Sequence, residues 1–300
     1  MKKFERSIKE LIGFFIRVSG ISYIMRNIVC RNKVTIISYH KPKPSIFLNH
    51  IRFLSKRYNL IPLNNVVDAI CNKDWSKIPE KALVITLDDG HKQNYQLLNI
   101  FKFYNIKPTI YLCSHLVSME RDFLFKGESC KNNKIYKSKK KQLLRLSKKR
   151  EGYIPKKEYI KLKPLNSAEI TEMSTYVDFQ SHSRFHPILI NCSDTESREE
   201  IVESKYNLEK ILNNKIYHFS FPNGDYSERE IKYLKNCGYK SAKTVDIGWN
   251  DFDSDPYRLK AMGIEDDASI NELCVQTIGL FRYFKYLLYG SFNGKHPAYL

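Results

Sequence analysis

Short apolar runs alternate with amphipathic stretches along most of the chain. The runs predicted as strands lie at 34–39, 60–63, 83–87, 108–112, 177–181 and 217–221. Between them, apolar residues recur at helical spacing, and the stretches predicted as helices are 47–58, 66–70, 95–104, 167–170, 201–212 and 228–237. Strand and helix thus alternate at least five times, which predicts one α/β domain built on a parallel sheet or a closed or partly closed barrel.

Residues 1–33 precede the first predicted strand and form a basic segment of their own. The apolar run at 11–16 is broken by Arg17 without a convincing small-residue cleavage site after it, so a signal peptide is not expected. Two interpretations stay open: an amphipathic segment on the inner membrane face, or a helix packed against the domain. No stretch of about 20 apolar residues suggests an ordinary spanning helix. We divide the chain into this segment and a domain at 34–300.

Charge is distributed unevenly along the chain, whose formal net charge is +18. Residues 126–163 contain 15 basic and three acidic residues, and residues 1–33 contain eight basic and two acidic ones. The rest of the chain is balanced, so we expect a basic insertion at about 126–165 within the domain. Such segments suit an anionic membrane surface, a nucleic acid or an acidic polymer, and a solvated insertion is the open alternative.

Seven cysteines occur at scattered spacings without a CxxC pair. This pattern is neither a disulfide framework nor a zinc ribbon, and it is typical of a reducing compartment. We therefore expect a cytoplasmic protein, and peripheral contact with the inner face of the membrane stays one of the two open interpretations of residues 1–33.

Polar residues follow the predicted strands at four places. They are His40, the pair Asp88 and Asp89, the pair His182 and His186, and the turn at 222–226. In parallel α/β folds the carboxyl ends of the strands form one rim where active sites lie. These four groups are therefore expected at a common site.

The residue types at this rim suit metal-assisted hydrolysis. His182 and His186 are four residues apart, and two imidazoles with one carboxylate form a hydrolytic metal site. The adjacent carboxylates of Asp88 and Asp89 can have different roles, because one can bind the metal while the other accepts a proton from water. Taken alone, each motif also has a structural interpretation: His186 could cap a turn, and Asp-Asp-Gly could be an ordinary acidic turn.

Three short motifs contain most of these rim residues: Thr-Leu-Asp-Asp-Gly at 86–90, His-Ser-Arg-Phe-His-Pro at 182–187 and Phe-Ser-Phe-Pro-Asn-Gly-Asp-Tyr at 219–226. They resemble motifs of the polysaccharide deacetylases (NodB homology domain, carbohydrate esterase family 4), and the third is similar to a segment of the bacterial surface-glycan branch of that family. Two looser similarities are Tyr-His at 39–40 and Asp-Pro-Tyr-Arg-Leu at 255–259. The resemblance covers roughly residues 34–270 and implies a distorted (β/α) barrel.

The resemblance implies a role for each motif residue. A divalent metal would be bound by Asp89, His182 and His186. Zinc is the first choice, and Mn²⁺, Co²⁺ or Ni²⁺ are alternatives. Asp88 would be the catalytic base. The implied reaction is hydrolysis of an N-acetyl group on a sugar. The substrate and oxyanion residues are expected in the turn of Pro222, Asn223 and Gly224, with Tyr226 nearby.

Two features depart from the family pattern. Many members carry an arginine near the Pro-x-Gly turn, where this chain has Ser220, and a late Leu-x-His, which is absent between residues 238 and 297. We expect His40 to protonate the leaving amine and Arg258 to supply the missing positive charge.

The leading hypothesis is a metal-dependent N-deacetylase that acts on an N-acetylated surface polysaccharide or lipid-linked glycan. One alternative is a carbohydrate O-acetyl esterase on the same metal site. Another is a catalytically inactive, basic glycan- or nucleic-acid-binding protein. No nucleic-acid partner is expected, because the basic segments lack the aromatic interleaving of single-strand binders.

Overall fold

The computed structural model describes residues 2–117 and 163–280, with side chains from Ser7 onward. The strands are β1 Thr35–Tyr39, β2 Asn59–Leu60, β3 Ala82–Leu87, β4 Thr109–Leu112, β5 Asp178–Ser181, β6 His218–Ser220, β7 Ser241–Lys243 and β8 Met262–Gly263. The helices are α1 Lys2–Val18, α2 Ile21–Ile24, α3 Pro44–Ser55, α4 Leu63–Cys71, α5 Leu98–Tyr104, α6 Ser167–Met173, α7 Asp194–Leu212, α8 Glu228–Asn236 and α9 Ile270–Thr277. The order confirms the alternation that the apolar runs predicted.

The strands form a parallel sheet in the order β7-β6-β5-β4-β3-β1-β8, with β2 paired to β3. Every residue of β1, β3 and β4 is buried, as expected of parallel strands covered on both faces. The sheet curls into a half-barrel surrounded by helices. This architecture confirms the predicted distorted (β/α) barrel.

The register of the strands brings their carboxyl ends to one rim. Tyr39 pairs with Leu87 across β1 and β3, so the residues that follow these strands start at the same level. Further along the sheet, Leu112 pairs with Ser181 and Ser220 with Lys243. The polar residues after β1, β3, β5 and β6 therefore meet at this rim, together with the end of β7.

Side-chain caps start several of the helices that flank the sheet. Capping boxes, in which the side chains of the N-cap residue and the third helical residue bond each other's backbone N–H, begin α6, α7, α8 and α9. Apolar faces of the helices pack on the strands in a core that includes Phe47, Phe101, Ile201 and Leu234.

Four elements differ from the sequence prediction. The strand predicted at 60–63 ends at Leu60, because Pro62 stands at the N-cap of α4, which begins at Leu63. The helix predicted at 201–212 begins earlier, at Asp194, after the Ser193 cap. Strands β7 and β8 were not predicted, since three and two residues leave no apolar run to detect.

The N-terminal segment forms α1 and α2, and α1 packs against α9. No helix in the ranges 2–117 and 163–280 combines the length and apolar character that crossing a bilayer requires. The predicted basic insertion at about 126–165 falls almost entirely on residues 118–162, outside the described residues. The domain division therefore stays a prediction.

Candidate active site

The loop after β3 places two carboxylates at the centre of the rim. Asp88 continues from the buried strand, and its N–H bonds the carbonyl of Tyr39 at 2.9 Å. Asp89 has a φ of 75° and Gly90 a φ of 70°, so the chain turns sharply there. A Cβ on Gly90 would lie 2.4 Å from the Leu112 side chain, so the turn requires glycine. Both carboxylates are consequently buried.

The loop after β5 aims two imidazoles at Asp89. The Nε2 atoms of His182 and His186 each lie 3.5 Å from Asp89 Oδ1. This oxygen is buried without a hydrogen-bond partner in the described part of the chain. One donor atom from each residue lies within 4.8 Å of the others. The three predicted ligands thus form a group that could bind a metal.

The outer contacts of these residues fix their orientation. His182 Nδ1 lies 2.7 Å from the carbonyl of Ser220, so it carries the proton and its Nε2 lone pair points to Asp89. His91 Nε2 lies 3.0 Å from Asp89 Oδ2 and holds the other carboxylate oxygen. A donor set of two imidazoles and one carboxylate, oriented in this way, fits a divalent metal such as zinc.

The loop at 182–187 is fixed by contacts from α7 and from within itself. Glu200 on α7 accepts the N–H groups of Arg184 and Phe185 at 3.0 and 2.9 Å. The Ser183 hydroxyl accepts the N–H of His186 at 3.0 Å, and both Ser183 and His186 have positive φ values. These bonds hold the two histidines in place before any ligand binds.

Asp88 has one oxygen held and one oxygen available. Oδ2 accepts bonds from Lys243 Nζ at 2.7 Å and from the Ser38 hydroxyl at 3.0 Å. Oδ1 is buried and has no hydrogen-bond partner among the residues described. Burial raises the pKa of Asp88, but the charges of Lys243, His182 and His40 outweigh burial, so the pKa is lowered. Asp88 is therefore an ionised carboxylate with a free oxygen beside the histidines.

The pKa values of the other three residues also suit metal binding. Burial opposes the charge of Asp89, yet the His91 hydrogen bond and the charge of His186 keep its pKa well below the usual value. Burial lowers the pKa of His182. Burial, with the charge of His182, lowers the pKa of His186 to about 3. The site holds neutral imidazoles beside a carboxylate, which is the protonation state that a metal requires.

Lys243 is the residue that sequence reasoning missed. The buried cation that contacts Asp88 is Lys243, at the end of β7, which is 1% exposed. Arg258 pairs with Glu228 and Asp255. The sequence did contain a signal for this position. In a βα repeat, a further strand is expected after α8 and Gly238, and Lys243 is the last residue of that strand.

His40 and the turn after β6 complete the rim. His40 follows β1, and its charge lowers the pKa values of both Asp88 and Asp89, so it lies near them. In the turn, Pro222 has no N–H, and the N–H of Gly224 bonds the Phe221 carbonyl at 2.8 Å. Of the three residues Pro222, Asn223 and Gly224, Asn223 is therefore the one whose backbone N–H is a candidate donor to a substrate oxygen.

Tyr226 lies at the edge of this turn. Its ring stacks on Phe221 with centroids 4.9 Å apart, and its hydroxyl donates to Asp246 at 3.1 Å. Burial and the Asp246 charge raise the pKa of Tyr226 to about 12. Tyr226 therefore presents a neutral phenol at the rim.

Solved structures with the same fold include a streptococcal deacetylase and the protein IcaB. The Streptococcus pyogenes deacetylase PplD in complex with acetate has a TM-score of 0.60 at 20% identity, over 82% of this chain and 98% of that one. IcaB from Ammonifex degensii has a TM-score of 0.63 at 14% identity, over 82% and 97%. At these identities the likeness establishes the fold.

The sequence comparisons identify the family. YxkH of Bacillus subtilis (strain 168), whose name places it with the polysaccharide deacetylases, is 20% identical over 195 residues, which are 64% of this chain. The match spans 55% of that relative's length. The family model described as polysaccharide deacetylase matches residues 76–242, more than half of the chain. The matched range contains Asp88, Asp89, His182 and His186, and the chain belongs to the polysaccharide deacetylase family.

Proposed function

We propose that the protein is a metal-dependent carbohydrate deacetylase that hydrolyses an N-acetyl group on a glycan. The observation that carries the proposal is Asp89 Oδ1, buried without a hydrogen bond in the described chain and 3.5 Å from the Nε2 atoms of two histidines. The ionised Asp88 beside it leaves a second oxygen available. Family membership agrees with this chemistry.

Asp89, His182 and His186 would hold the metal, and we propose zinc because two imidazoles and one carboxylate are a ligand set of hydrolytic zinc sites. A divalent ion held by these residues would supply the charge that lowers the pKa of a water molecule and polarises the acetyl carbonyl. The supporting observation is the orientation of the donors: the Ser220 carbonyl fixes the His182 tautomer, and His91 holds Asp89.

Asp88 is the proposed general base. Its Oδ1 accepts a proton from the attacking water, while Lys243 and Ser38 hold Oδ2 and keep the carboxylate fixed. The water oxygen bonds the carbonyl carbon, and the charge that develops on the carbonyl oxygen needs a fixed donor. The N–H of Asn223 is the donor we assign in the turn after β6.

His40 is the proposed general acid. Breakage of the bond between the carbonyl carbon and the sugar nitrogen requires a proton on the leaving amine. His40 lies near both carboxylates, from the end of β1, and the products are acetate and an amino sugar. Tyr226 and Arg258, which lie along the edge of the turn, are proposed to contact the sugar.

The biological substrate is proposed to be a surface polysaccharide or a lipid-linked glycan, handled in the cytoplasm. The six cysteines in the described part of the chain are free thiols, which suits a reducing compartment. The basic segments Lys-Lys-Lys at 139–141 and Lys-Lys-Arg at 148–150, proposed to meet phosphates of a carrier, lie outside the described residues.

Acetate release from defined oligosaccharides tests the proposed reaction. Zinc-loaded full-length protein is incubated with N-acetylated and with O-acetylated oligosaccharides, and acetate is measured over time. We expect release from the N-acetylated substrate, and loss of that release in Asp88→Asn. The exposed Asp253→Asn makes the same chemical change away from the site and keeps the activity. Release from the O-acetylated substrate alone would contradict the proposal and identify an esterase.

A further inference from the structure

Helix α1 has two apolar faces, although one side of it is exposed to solvent. One face packs on the domain: Ile16 is buried against Val275 and Ile278, and Gly13 approaches the backbone of Asn271. Because an α-helix turns by about 100° per residue, the opposite face carries Ile8, Leu11, Phe15 and Val18. They are exposed, Leu11 by 57% and Phe15 by 58%. A surface helix ordinarily carries polar residues at these positions.

The exposed apolar surface continues past the end of α1. Gly20, with a φ of 83°, turns the chain into α2 and the π-helical segment Met25–Val29. Of the 17 large apolar or aromatic side chains that are exposed within the described chain, ten lie between residues 8 and 29. They are Ile8, Leu11, Phe14, Phe15, Val18, Ile21, Tyr23, Ile24, Ile28 and Val29. We call these ten residues the N-terminal apolar surface.

The charges around the N-terminal apolar surface are basic. Residues 7–29 contain Lys9, Arg17 and Arg26, and one acidic residue, Glu10. Glu10 is turned towards the domain, where it accepts bonds from Ser269 and Asn271 at the start of α9. Lys9 pairs with Glu265 of the domain and Arg26 is half-buried beside Tyr58, so Arg17 is the exposed cation among the described side chains of this surface. The carboxylate of Glu10 is directed inward, and residues 1–33 as a whole carry eight basic and two acidic residues. Helices of this type bind in the interface of anionic membranes.

We propose that the N-terminal apolar surface docks on an anionic lipid bilayer, with α1 and α2 lying in the plane of the interface. The apolar side chains enter the region between headgroups and acyl chains, and the basic side chains contact anionic headgroups. The packing of α1 on α9 fixes the domain to the docked helix.

Two contacts link the docked helix to the loops of the candidate active site. Lys9 pairs with Glu265 at 3.3 Å in the loop after β8. The next residue, Asp266, accepts the N–H groups of His40 and Lys41 at 3.0 and 3.1 Å. Helix α1 is therefore connected to the rim through two neighbouring residues. If the proposed function holds, a glycan attached to a lipid is the substrate that this arrangement suits.

Vesicle sedimentation with the full chain tests the docking. We expect the protein to sediment with vesicles of phosphatidylcholine and phosphatidylglycerol, far less with phosphatidylcholine vesicles, and less in high salt. The variant Leu11→Gln/Phe15→Gln/Val18→Gln is expected to bind anionic vesicles at least about tenfold more weakly, because apolar burial drives insertion. Glutamine has a helix propensity close to that of leucine, so α1 is retained.

A matched control removes exposed apolar residues from other helices. The variant Phe103→Gln/Tyr206→Gln/Ile211→Gln makes a change of the same size on α5 and α7, and is expected to bind vesicles as the wild type does. Both variants are expected to keep the wild-type melting temperature and full acetate release from a water-soluble oligosaccharide. Failure of lipid docking is thereby separated from failure of the proposed chemistry.

Three outcomes would overturn the inference. One is a wild-type protein that does not sediment with anionic vesicles. A second is equal sedimentation of the α1 variant and the wild type. The third is a lower melting temperature or a change in oligomeric state in the α1 variant without a change in vesicle binding, which would mean that another part of the chain or a second copy covers the surface.

Discussion

The two oxygens of Asp88 have different surroundings, and this difference separates its role from that of Asp89. Lys243 and Ser38 hold Oδ2, whereas Oδ1 has no hydrogen-bond partner among the described residues. Asp89 instead faces the two histidines. Substitution of the two carboxylates should therefore have different effects.

Asp88→Asn should lower kcat by about 10²- to 10⁴-fold, the usual contribution of a general base. An amide has the shape of the carboxylate but cannot accept the proton. The metal content should stay at the wild-type value, since Asp88 is not a proposed ligand. Acetate-release kinetics and metal analysis of the same preparation check this, and loss of the metal together with the activity would contradict it.

Lys243 and Asp88 should depend on each other for stability. Breaking a buried ion pair by removing one partner costs about 3–5 kcal/mol, because the remaining charge is buried without compensation. Lys243→Met should therefore lower the free energy of unfolding by about that amount and also lower kcat, because Asp88 loses a contact that orients it.

The double variant Lys243→Met/Asp88→Asn should recover most of that stability while remaining inactive. Urea denaturation of the wild type, the two single variants and the double variant gives the coupling energy between the two residues. Additive effects of the two substitutions would contradict a direct pair. Recovery of activity in the double variant would contradict the role of Asp88.

Residue chemistry that is encoded locally was predictable from the sequence, and chemistry that depends on distant strands was not. Short motifs directly after apolar runs contain Asp88, Asp89, His182 and His186. Because the carboxyl ends of parallel strands meet at one rim, these residues could be expected to lie close together. Lys243 lies 155 positions from Asp88. The βα repeat predicts a further strand that ends near Lys243, but only the order of the strands in the sheet shows that this lysine contacts Asp88.

At the scale of elements, His218 attaches β6 to its neighbours. Its Nδ1 lies 2.8 Å from the Ser241 hydroxyl on β7, and its Nε2 contacts Asn64 on α4. Burial, with the charges of Lys240 and Lys205, lowers its pKa to about 3 from an ordinary value of 6.5. The unfolded chain therefore binds a proton between pH 6.5 and 3 that the folded protein excludes.

His218 should therefore make the folded protein less stable as the pH falls below 6.5. The contribution amounts to about 1.4 kcal/mol per pH unit until the pH reaches about 3. In His218→Gln the unfolded chain no longer gains this proton, so the free energy of unfolding should fall less steeply between pH 6.5 and 5. Urea denaturation at both pH values measures the slope. Equal slopes in variant and wild type would contradict the assignment.

The contact between α1 and α9 depends on Gly13. A Cβ there would lie 2.8 Å from the backbone of Asn271, which cannot move as a side chain could. Gly13→Ala should therefore destabilise the protein by about 1–3 kcal/mol through overpacking, although alanine is the better helix former. The exposed Leu11→Ala in the same helix should be nearly neutral. Thermal denaturation compares the two, and a stabilised Gly13→Ala would contradict close packing of α1.

Elements were predictable where the chain provides enough residues for a pattern. The long apolar runs of β1 and β3 were identified, whereas β7 (Ser-Ala-Lys) and β8 (Met-Gly) have neither length nor alternation. Tertiary pairing forms these short strands: β8 aligns on β1 and β7 on β6. The apolar residues of α1 were visible as an amphipathic pattern, but the sequence did not reveal that both of its faces are apolar.

At the scale of the whole molecule, the chain combines the polar rim of the sheet with the N-terminal apolar surface. The half-barrel collects residues from β1, β3, β5, β6 and β7 at one rim, and α1 is attached to that rim through the loop after β8. The alternation of apolar runs predicted the α/β class of the domain, and the distribution of charge indicated two basic segments. Neither could indicate how the N-terminal segment is oriented on the domain.

The central claim is that Asp89, His182 and His186 form the metal site on which hydrolysis depends. The most direct test measures bound zinc by mass spectrometry after loading and removal of excess metal, for the wild type, Asp89→Asn and the surface control Asp253→Asn. Acetate release is recorded for the same samples. Asparagine at 89 keeps the shape of the side chain and an oxygen for His91, so folding should be retained.

We predict one zinc ion per chain in the wild type and in Asp253→Asn, with acetate release that chelation abolishes and zinc restores. Asp89→Asn should bind zinc at least about tenfold more weakly, because a charged ligand is lost, and its acetate release should fall accordingly. Zinc bound equally well by Asp89→Asn, or acetate release that persists in the chelated wild type, would contradict the claim.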